Sequence, residues 1–416
     1  MRCEPIRRKT KVGNNNMSAK NKRKTKQTDF LRILLVLLIG IAAFAGISDA
    51  MIPSAVSGWE GEPISVGAFC DLKCSDETGE HGVCRTTGAT ANLFGIIPVK
   101  KIDVSTYRDI RVLPGGMPFG VKMFTKGILV VGISDVESEK GTFSPAHEAG
   151  IRVKDIICKI NGKEINSAEE LTEIVEKSGG VPLKVTLLRD GKELTVTLQP
   201  VRHKTEQTYK AGVWIRDSTA GIGTVTFILP EDGSFGGLGH GICDVDTGDL
   251  MPLLRGSVMD VTISGVIPGT PGTPGELKGY FNSHKTGTML KNSAAGVYGV
   301  LSQIPQTPFT PIPIALKDEI HEGNATVLCT LDENGIGSYD IQISNINRSG
   351  GDLKGFVITV TDPVLLGKTG GIVQGMSGSP VLQDGKLIGA VTHVLINDPA
   401  RGYGIFIENM LSQLPA

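Results

Sequence analysis

A serine set between glycines, in Gly375-Met376-Ser377-Gly378-Ser379-Pro380, is the place where this chain could do covalent chemistry. Glycine reaches positive φ without a Cβ penalty. The backbone can therefore bend sharply enough to leave one hydroxyl clear and to aim neighbouring amide N–H groups at one point, where they would stabilise a tetrahedral oxyanion. On this reading Ser377 is the nucleophile, and the N–H groups of Gly375 and Ser377 form the oxyanion hole. The plainer reading is a glycine-rich β-turn with two incidental serines, so partner residues must decide.

A hydroxyl needs a general base, ordinarily a histidine held by a carboxylate. Of seven histidines, His240 lies in Gly236-Gly237-Leu238-Gly239-His240-Gly241-Ile242, a second glycine-packed turn, and is the expected base. The alternative base is His393, in Val391-Thr392-His393-Val394, 16 residues after Ser377. Thr392 and His393 are otherwise expected to line the substrate cleft. Asp362, 15 residues before Ser377 at the end of a strand-like Gly355–Val360 run, is the expected orienting acid, with Asp244 and Asp246 as alternatives nearer His240. Gly371, six residues before Ser377, offers no carboxylate as a pocket floor, so a strict Arg/Lys preference is not indicated. Nothing in the sequence calls for a cofactor or a metal.

These blocks, with Trp214-Ile215-Arg216-Asp217-Ser218-Thr219-Ala220-Gly221-Ile222-Gly223-Thr224 ahead of them, resemble the SpoIVB-type serine peptidase family of endospore-forming bacteria, from about Leu93 to the C-terminus. The resemblance implies a trypsin-like double β-barrel with His240, Asp362 and Ser377 in that chain order, and a PDZ module and a membrane anchor before it. It also implies a role in sporulation. The peptidase would be made in the forespore, enter the space between the spore membranes, cleave itself, and cut a membrane-bound inhibitor of the sigma-K-processing protease. Two rival readings are a catalytically silent PDZ scaffold and a general extracytoplasmic quality-control protease.

The elements that would position this chemistry follow along the chain. With 416 residues, 40% apolar and 20% charged at a net charge of −1, the composition is that of a multidomain globular protein and gives no reason to propose nucleic acid as a partner. Its 54 glycines cluster after residue 210 without a period, as turn-rich β structure requires. Residues 1–29 are a basic cytoplasmic tail. Residues 30–48 contain a predominantly apolar run of about 18 residues, which as a helix would span ~27 Å and anchor the chain in a membrane, with everything after it on the exported face. Ala43-Phe44-Ala45 leaves open a cleaved signal peptide instead.

Residues 49–116 read as an exported, poorly structured linker in which Cys70, Cys74 and Cys84 suggest a disulfide, with a zinc site needing a fourth ligand such as His81. Residues 117–201 read as a PDZ domain. Gly120, Val121 and Lys122 form its expected peptide-binding loop, Gly127–Ile133 a strand, Asn161-Gly162 a turn, Ser167 with Glu170 a capping box for a helix from Ala168, and Asp190-Gly191 a hairpin. Such a module captures an extended chain by β-addition. Residues 209–416 are the expected peptidase domain, mainly β, with long surface loops at Pro268–Gly275 and Pro305–Pro313 and a helix near Glu408–Leu411.

Overall fold

The computed structural model describes residues 35–36, 39–40, 52–64, 70–81, 84–93, 96–348 and 353–415. The expected basic tail (1–29) lies outside the described residues, as does the expected anchor (30–48) except at those four positions. Among the described residues no helix is long and apolar enough to cross a membrane. The side chains of Cys70 and Cys74 also lie outside the described set, and Cys84 is a buried free thiol.

The chain divides into two compact units. The first comprises residues 1–56, 63–78 and 87–104, and its described core is Ile52, Ala89, Ala91, Ile102 and Val104. The expected poorly structured linker is instead a sheet: strands Ala55–Trp59, Cys70–His81, Cys84–Leu93 and Ile97–Tyr107 pair in the order first, fourth, third, second. The physical reason lies in the alternation of buried Ile102 and Val104 with exposed Lys101 and Asp103, the period of a half-buried strand.

The second unit comprises residues 57–62, 79–86 and 105–416. It holds two six-stranded barrels. In the first, strands Pro118–Ile133, Leu253–Ile267, Glu276–Ser293, Gly296–Leu301, Ser234–Gly237 and Val213–Ile228 pair in that order, and Val213–Ile228 pairs back onto Pro118–Ile133. The second is a closed barrel of Gly323–Thr330, Ile336–Ser344, Phe356–Val360, Asp398–Phe406, Lys386–Leu395 and Pro380–Gln383. Closure leaves neither barrel a long unpaired edge. The short helix Ile407–Leu411 follows, with Ile407, Met410 and Leu411 fully buried.

Between the barrel strands 118–133 and 213–228 the chain makes the PDZ fold. Strands Ile156–Ile160, Leu183–Arg189 and Lys192–Leu198 extend a sheet from the far half of 118–133, where Ile128 faces Ile157. Ile128, Val130, Ile157, Ile160, Leu171, Val185 and Leu187 fill its core. Helix Ala168–Lys177 starts where its cap predicts: Ser167 Oγ accepts from Glu170 N at 3.1 Å, a contact worth about 1 kcal/mol.

One boundary differs from expectation. Gly120, Val121 and Lys122 belong to a stave of the first barrel and form no loop. Val121 pairs with Gly221 on one side and Val258 on the other and is 2% exposed. Both edges of this segment are hydrogen-bonded, so no peptide can be added to it. The strand bends at Gly127, at φ +79°, where Thr125 Oγ1 donates to Gly127 O at 2.6 Å, and only beyond that bend does it enter the PDZ sheet.

Candidate active site

The nucleophile turn leaves helix Pro363–Thr369 and ends in strand Pro380–Gln383. Gly375 and Gly378 take φ of +95° and +93°, conformations that a side chain would strain. At Gly378 close approach matters as well: a Cβ there would stand 2.1 Å from Thr224 O and 2.4 Å from Leu238 N. This glycine is what lets the two barrels meet at the serine.

Within the turn the amide groups divide into two sets. Gln374 N donates to Gly275 O (2.8 Å), Met376 N to Val373 O (3.1 Å), Gly378 N to Val391 O (2.8 Å) and Ser379 N to Met376 O (2.9 Å). The N–H groups of Gly375 and Ser377 have no partner among the described residues. The first barrel braces the other face of the turn: Thr224 N donates to Ser377 O (3.0 Å), Thr224 Oγ1 to Gly375 O (2.8 Å) and Thr226 Oγ1 to Gly378 O (2.7 Å). Ser377 Oγ is half-buried and donates to Thr392 O at 2.8 Å. Ser379 is fully buried, its oxygen without a partner among the described residues, so of the two serines Ser377 is the accessible one.

His240 follows strand Ser234–Gly237 on a loop that turns through Leu238 and Gly239 at φ of +65° and +67°. A Cβ at Gly239 would touch Thr392 Cγ2 at 3.1 Å and Val391 O at 3.3 Å. The loop that carries His240 thus packs against the residue whose carbonyl holds Ser377 Oγ. Nδ1 lies 2.9 Å from Gly241 O, and a carbonyl can only accept, so Nδ1 carries the proton and Nε2 keeps its lone pair. Burial pushes the His240 pKa below its ordinary 6.5, which keeps the ring neutral and able to take a proton. His393 packs against it, ring centroids 5.0 Å apart at 37°. Burial, then the neighbouring His240 and Lys354, depress His393 as well.

Thr392 and His393 fall where the pairing of strands 386–395 and 398–406 slips, so the slip frees this segment from the ladder. The Thr392 side chain is buried, donating to Leu353 O and Tyr403 O at 3.1 Å, so only its backbone meets the cleft; His393 is exposed there. A cavity of about 200 Å³ borders His240 and is lined also by Val121, Gly221, Ile222, Leu238, Ile242 and Cys243. Gly371, the expected pocket-floor position, is pressed against Pro399, whose carbonyl oxygen would be 2.1 Å from a Cβ.

The carboxylate expected to orient His240 has other partners in the fold. Asp362 caps helix Pro363–Thr369, its Oδ1 accepting from Val364 N at 2.8 Å and Leu365 N at 2.9 Å, and its Oδ2 from Asp340 N at 3.4 Å. Those partners belong to the second barrel and its helix. The two alternatives are also engaged elsewhere, since Arg216 pairs with both Asp244 and Asp246, the latter at 2.7 Å. The group that fixes the His240 tautomer is the Gly241 carbonyl. Sequence reasoning also missed Asn292, at the end of strand 276–293. Its Oδ1 accepts from Ile242 N, and its Nδ2 donates to Ile242 O and Met251 O, each at 2.9 Å. No local signal marks it, because its partners are 50 and 41 residues away. Among the described residues no three His, Cys, Asp or Glu side chains cluster in a way that could hold a metal ion.

An accessible serine in a glycine turn, two unclaimed N–H groups beside it, and a neutral histidine across the junction of two barrels make up a serine peptidase site, here with a PDZ fold within the same unit. Comparison with known proteins agrees: residues 207–411 match the SpoIVB peptidase S55 family and residues 115–199 match the PDZ domain family. The chain belongs to the SpoIVB-type serine peptidases.

Other likenesses are local. Over 72 residues, 17% of this chain, it is 40% identical to "Probable protease eep" of Enterococcus faecalis, covering 17% of that protein. Over a stretch of the same length it is 39% identical to "Serine protease Do-like HtrA" of Bacillus subtilis, covering 16% of it. Among solved structures, the PDZ domain of the SdrC-like protein of Listeria monocytogenes aligns at 18% identity and a TM-score of 0.18, over 22% of this chain and 87% of that one.

Proposed function

We propose that this chain is a serine endopeptidase that works through Ser377 and His240. The observation that carries the reading is the pair of free N–H groups at Gly375 and Ser377 in a turn where the other amides described are bonded. The Ser377 hydroxyl leaves Thr392 O for His240 Nε2 and gives up its proton as Oγ attacks a peptide carbonyl. The resulting oxyanion is received by the Gly375 and Ser377 N–H groups, and His240 then protonates the leaving amine. The imidazolium is stabilised by a carbonyl dipole at Gly241 in place of a full carboxylate charge. Reaction of the purified soluble part with a fluorophosphonate probe tests this. Ser377→Ala should abolish labelling and peptide hydrolysis, and Ser379→Ala should retain both. The opposite pattern would move the nucleophile.

The wider role is also a proposal. The family match supports a sporulation peptidase, and the apolar run at 30–48 with its basic flank supports a membrane tether that places the catalytic unit on the exported face. Its substrates would be itself and a membrane-bound inhibitor of the sigma-K-processing protease. An immunoblot time course of the full chain should show N-terminal shortening that Ser377→Ala abolishes. Equal shortening in the mutant would assign the cut to another protease.

A further inference from the structure

A trans peptide unit is planar, so its C=O and N–H point in opposite directions, and whatever holds the carbonyl also aims the amide. The Ser377 N–H belongs to the same unit as Met376 C=O, which accepts from Ser379 N at 2.9 Å. That half of the oxyanion hole is set inside the turn itself. The Gly375 N–H belongs to the same unit as Gln374 C=O, which accepts from Leu277 N at 2.8 Å. Leu277 lies in the first barrel, about 100 residues earlier in the chain, so this half is set from outside.

The holding contact is a short parallel bridge between Glu276 and Gln374, in which Gln374 N also donates to Gly275 O at 2.8 Å. What leads into it is the Pro268–Gly275 loop, which is fastened rather than free: Gly269 N donates to Thr369 O and Gly272 N to Ile396 O, each at 2.8 Å. Thr270 and Thr273 bridge within it. Gly275 is glycine because a Cβ would stand 2.4 Å from both Gly269 N and Ile267 O. Gly375, at φ +95°, has no side chain to lock its peptide unit, so a flip of the Gln374–Gly375 unit would be cheap if the bridge were lost.

We propose that the Pro268–Gly275 loop and the Leu277 N–H are the positioning element for the Gly375 half of the oxyanion hole. Releasing the bridge turns the Gly375 N–H out of the cleft and lowers activity without touching Ser377 or His240. This rests on the serine peptidase reading above.

The test compares two substitutions at one position in the full chain, with p-nitrophenyl acetate hydrolysis and fluorophosphonate labelling as readouts. Leu277→Met keeps both the backbone N–H and the bulk of the side chain packed against Gly375, whereas Leu277→Pro removes the N–H. Losing one oxyanion donor costs about 10²- to 10³-fold in kcat. The proline variant should therefore lose kcat and labelling rate by that factor with KM little changed, a loss well beyond that of the methionine variant. If Leu277→Pro does not fold, Gly275→Val, whose Cβ would clash with Gly269 N and Ile267 O and push the segment off the bridge, is measured instead and should show the same loss of kcat. A proline or valine variant with the kcat of Leu277→Met would overturn the proposal. Wild-type protein that neither labels nor hydrolyses the ester would overturn the peptidase reading itself, a separate outcome.

Discussion

Asn292→Ala separates holding the base from merely holding the fold. The substitution removes three hydrogen bonds of 2.9 Å, to Ile242 N, Ile242 O and Met251 O. Ile242 O keeps a donor in Met251 N at 3.0 Å, so the Ile242 N–H and the Met251 carbonyl bear the loss. At about 0.5–1.5 kcal/mol per bond the cost is roughly 2–4 kcal/mol, a fall in Tm of roughly 4–12 °C. Ile242 is two residues from His240, and the loop between them is tied elsewhere by Gly241 N to Ala294 O at 3.0 Å. With only that tie and Met251 N–Ile242 O left, the imidazole should drift by about 1 Å, enough to cost roughly 10²-fold in kcat. Thermal unfolding by circular dichroism and ester hydrolysis well below the mutant Tm measure the two effects separately. A lowered Tm with wild-type kcat would refute the positioning argument, and an unchanged Tm would refute the hydrogen-bond bookkeeping beneath it.

Asp362→Ala should remove a helix cap and little more, costing about 1 kcal/mol of stability with fluorophosphonate labelling within a few-fold of wild type. A loss near the ~10⁴-fold that the handicapped acid causes in the well-studied Ser-His-Asp triad would reinstate Asp362 as the orienting acid. Because burial lowers the His240 pKa and only the neutral ring accepts the Ser377 proton, activity is lost as pH falls through that lowered value. The acid limb of kcat/KM on an uncharged ester should therefore lie below pH 6.5. A limb at or above 6.5 would contradict the burial argument. Val121→Asp places a carboxylate at a position 2% exposed with both strand edges paired, and should cost several kcal/mol and abolish folded, labelling-competent protein. Folded Val121→Asp protein with normal labelling would return this segment to the PDZ surface.

What the sequence alone could determine is chemistry fixed within a few residues. Asn161-Gly162, Asp190-Gly191 and Asp384-Gly385 each turn with both residues at positive φ, the two-residue hairpin geometry that Asn-Gly and Asp-Gly favour. Ser167 caps its helix through an atom three residues on, and the positive φ of Gly375 and Gly378 is a local property of the glycines themselves. The alternation through Ile102 and Val104 was equally legible, and the polar, cysteine-bearing stretch before it obscured it.

Tertiary structure decided the rest. A strand does not reveal its partners, so Phe119–Met123 reads as a loop beside a PDZ strand until pairing on both edges makes it a barrel stave continuous with that strand. Aspartate before proline at a strand end suits a triad acid and a helix cap equally. In the folded chain its carboxylate accepts from Val364 N and Leu365 N, the bonds of a helix cap. The hydrogen-bonding roles of Asn292, Thr224 and Leu277 are not written in their neighbouring residues, since each acts on a segment about 40 to 150 residues away. Hydrogen bonds are satisfied in space, and only the closed barrels bring those segments together.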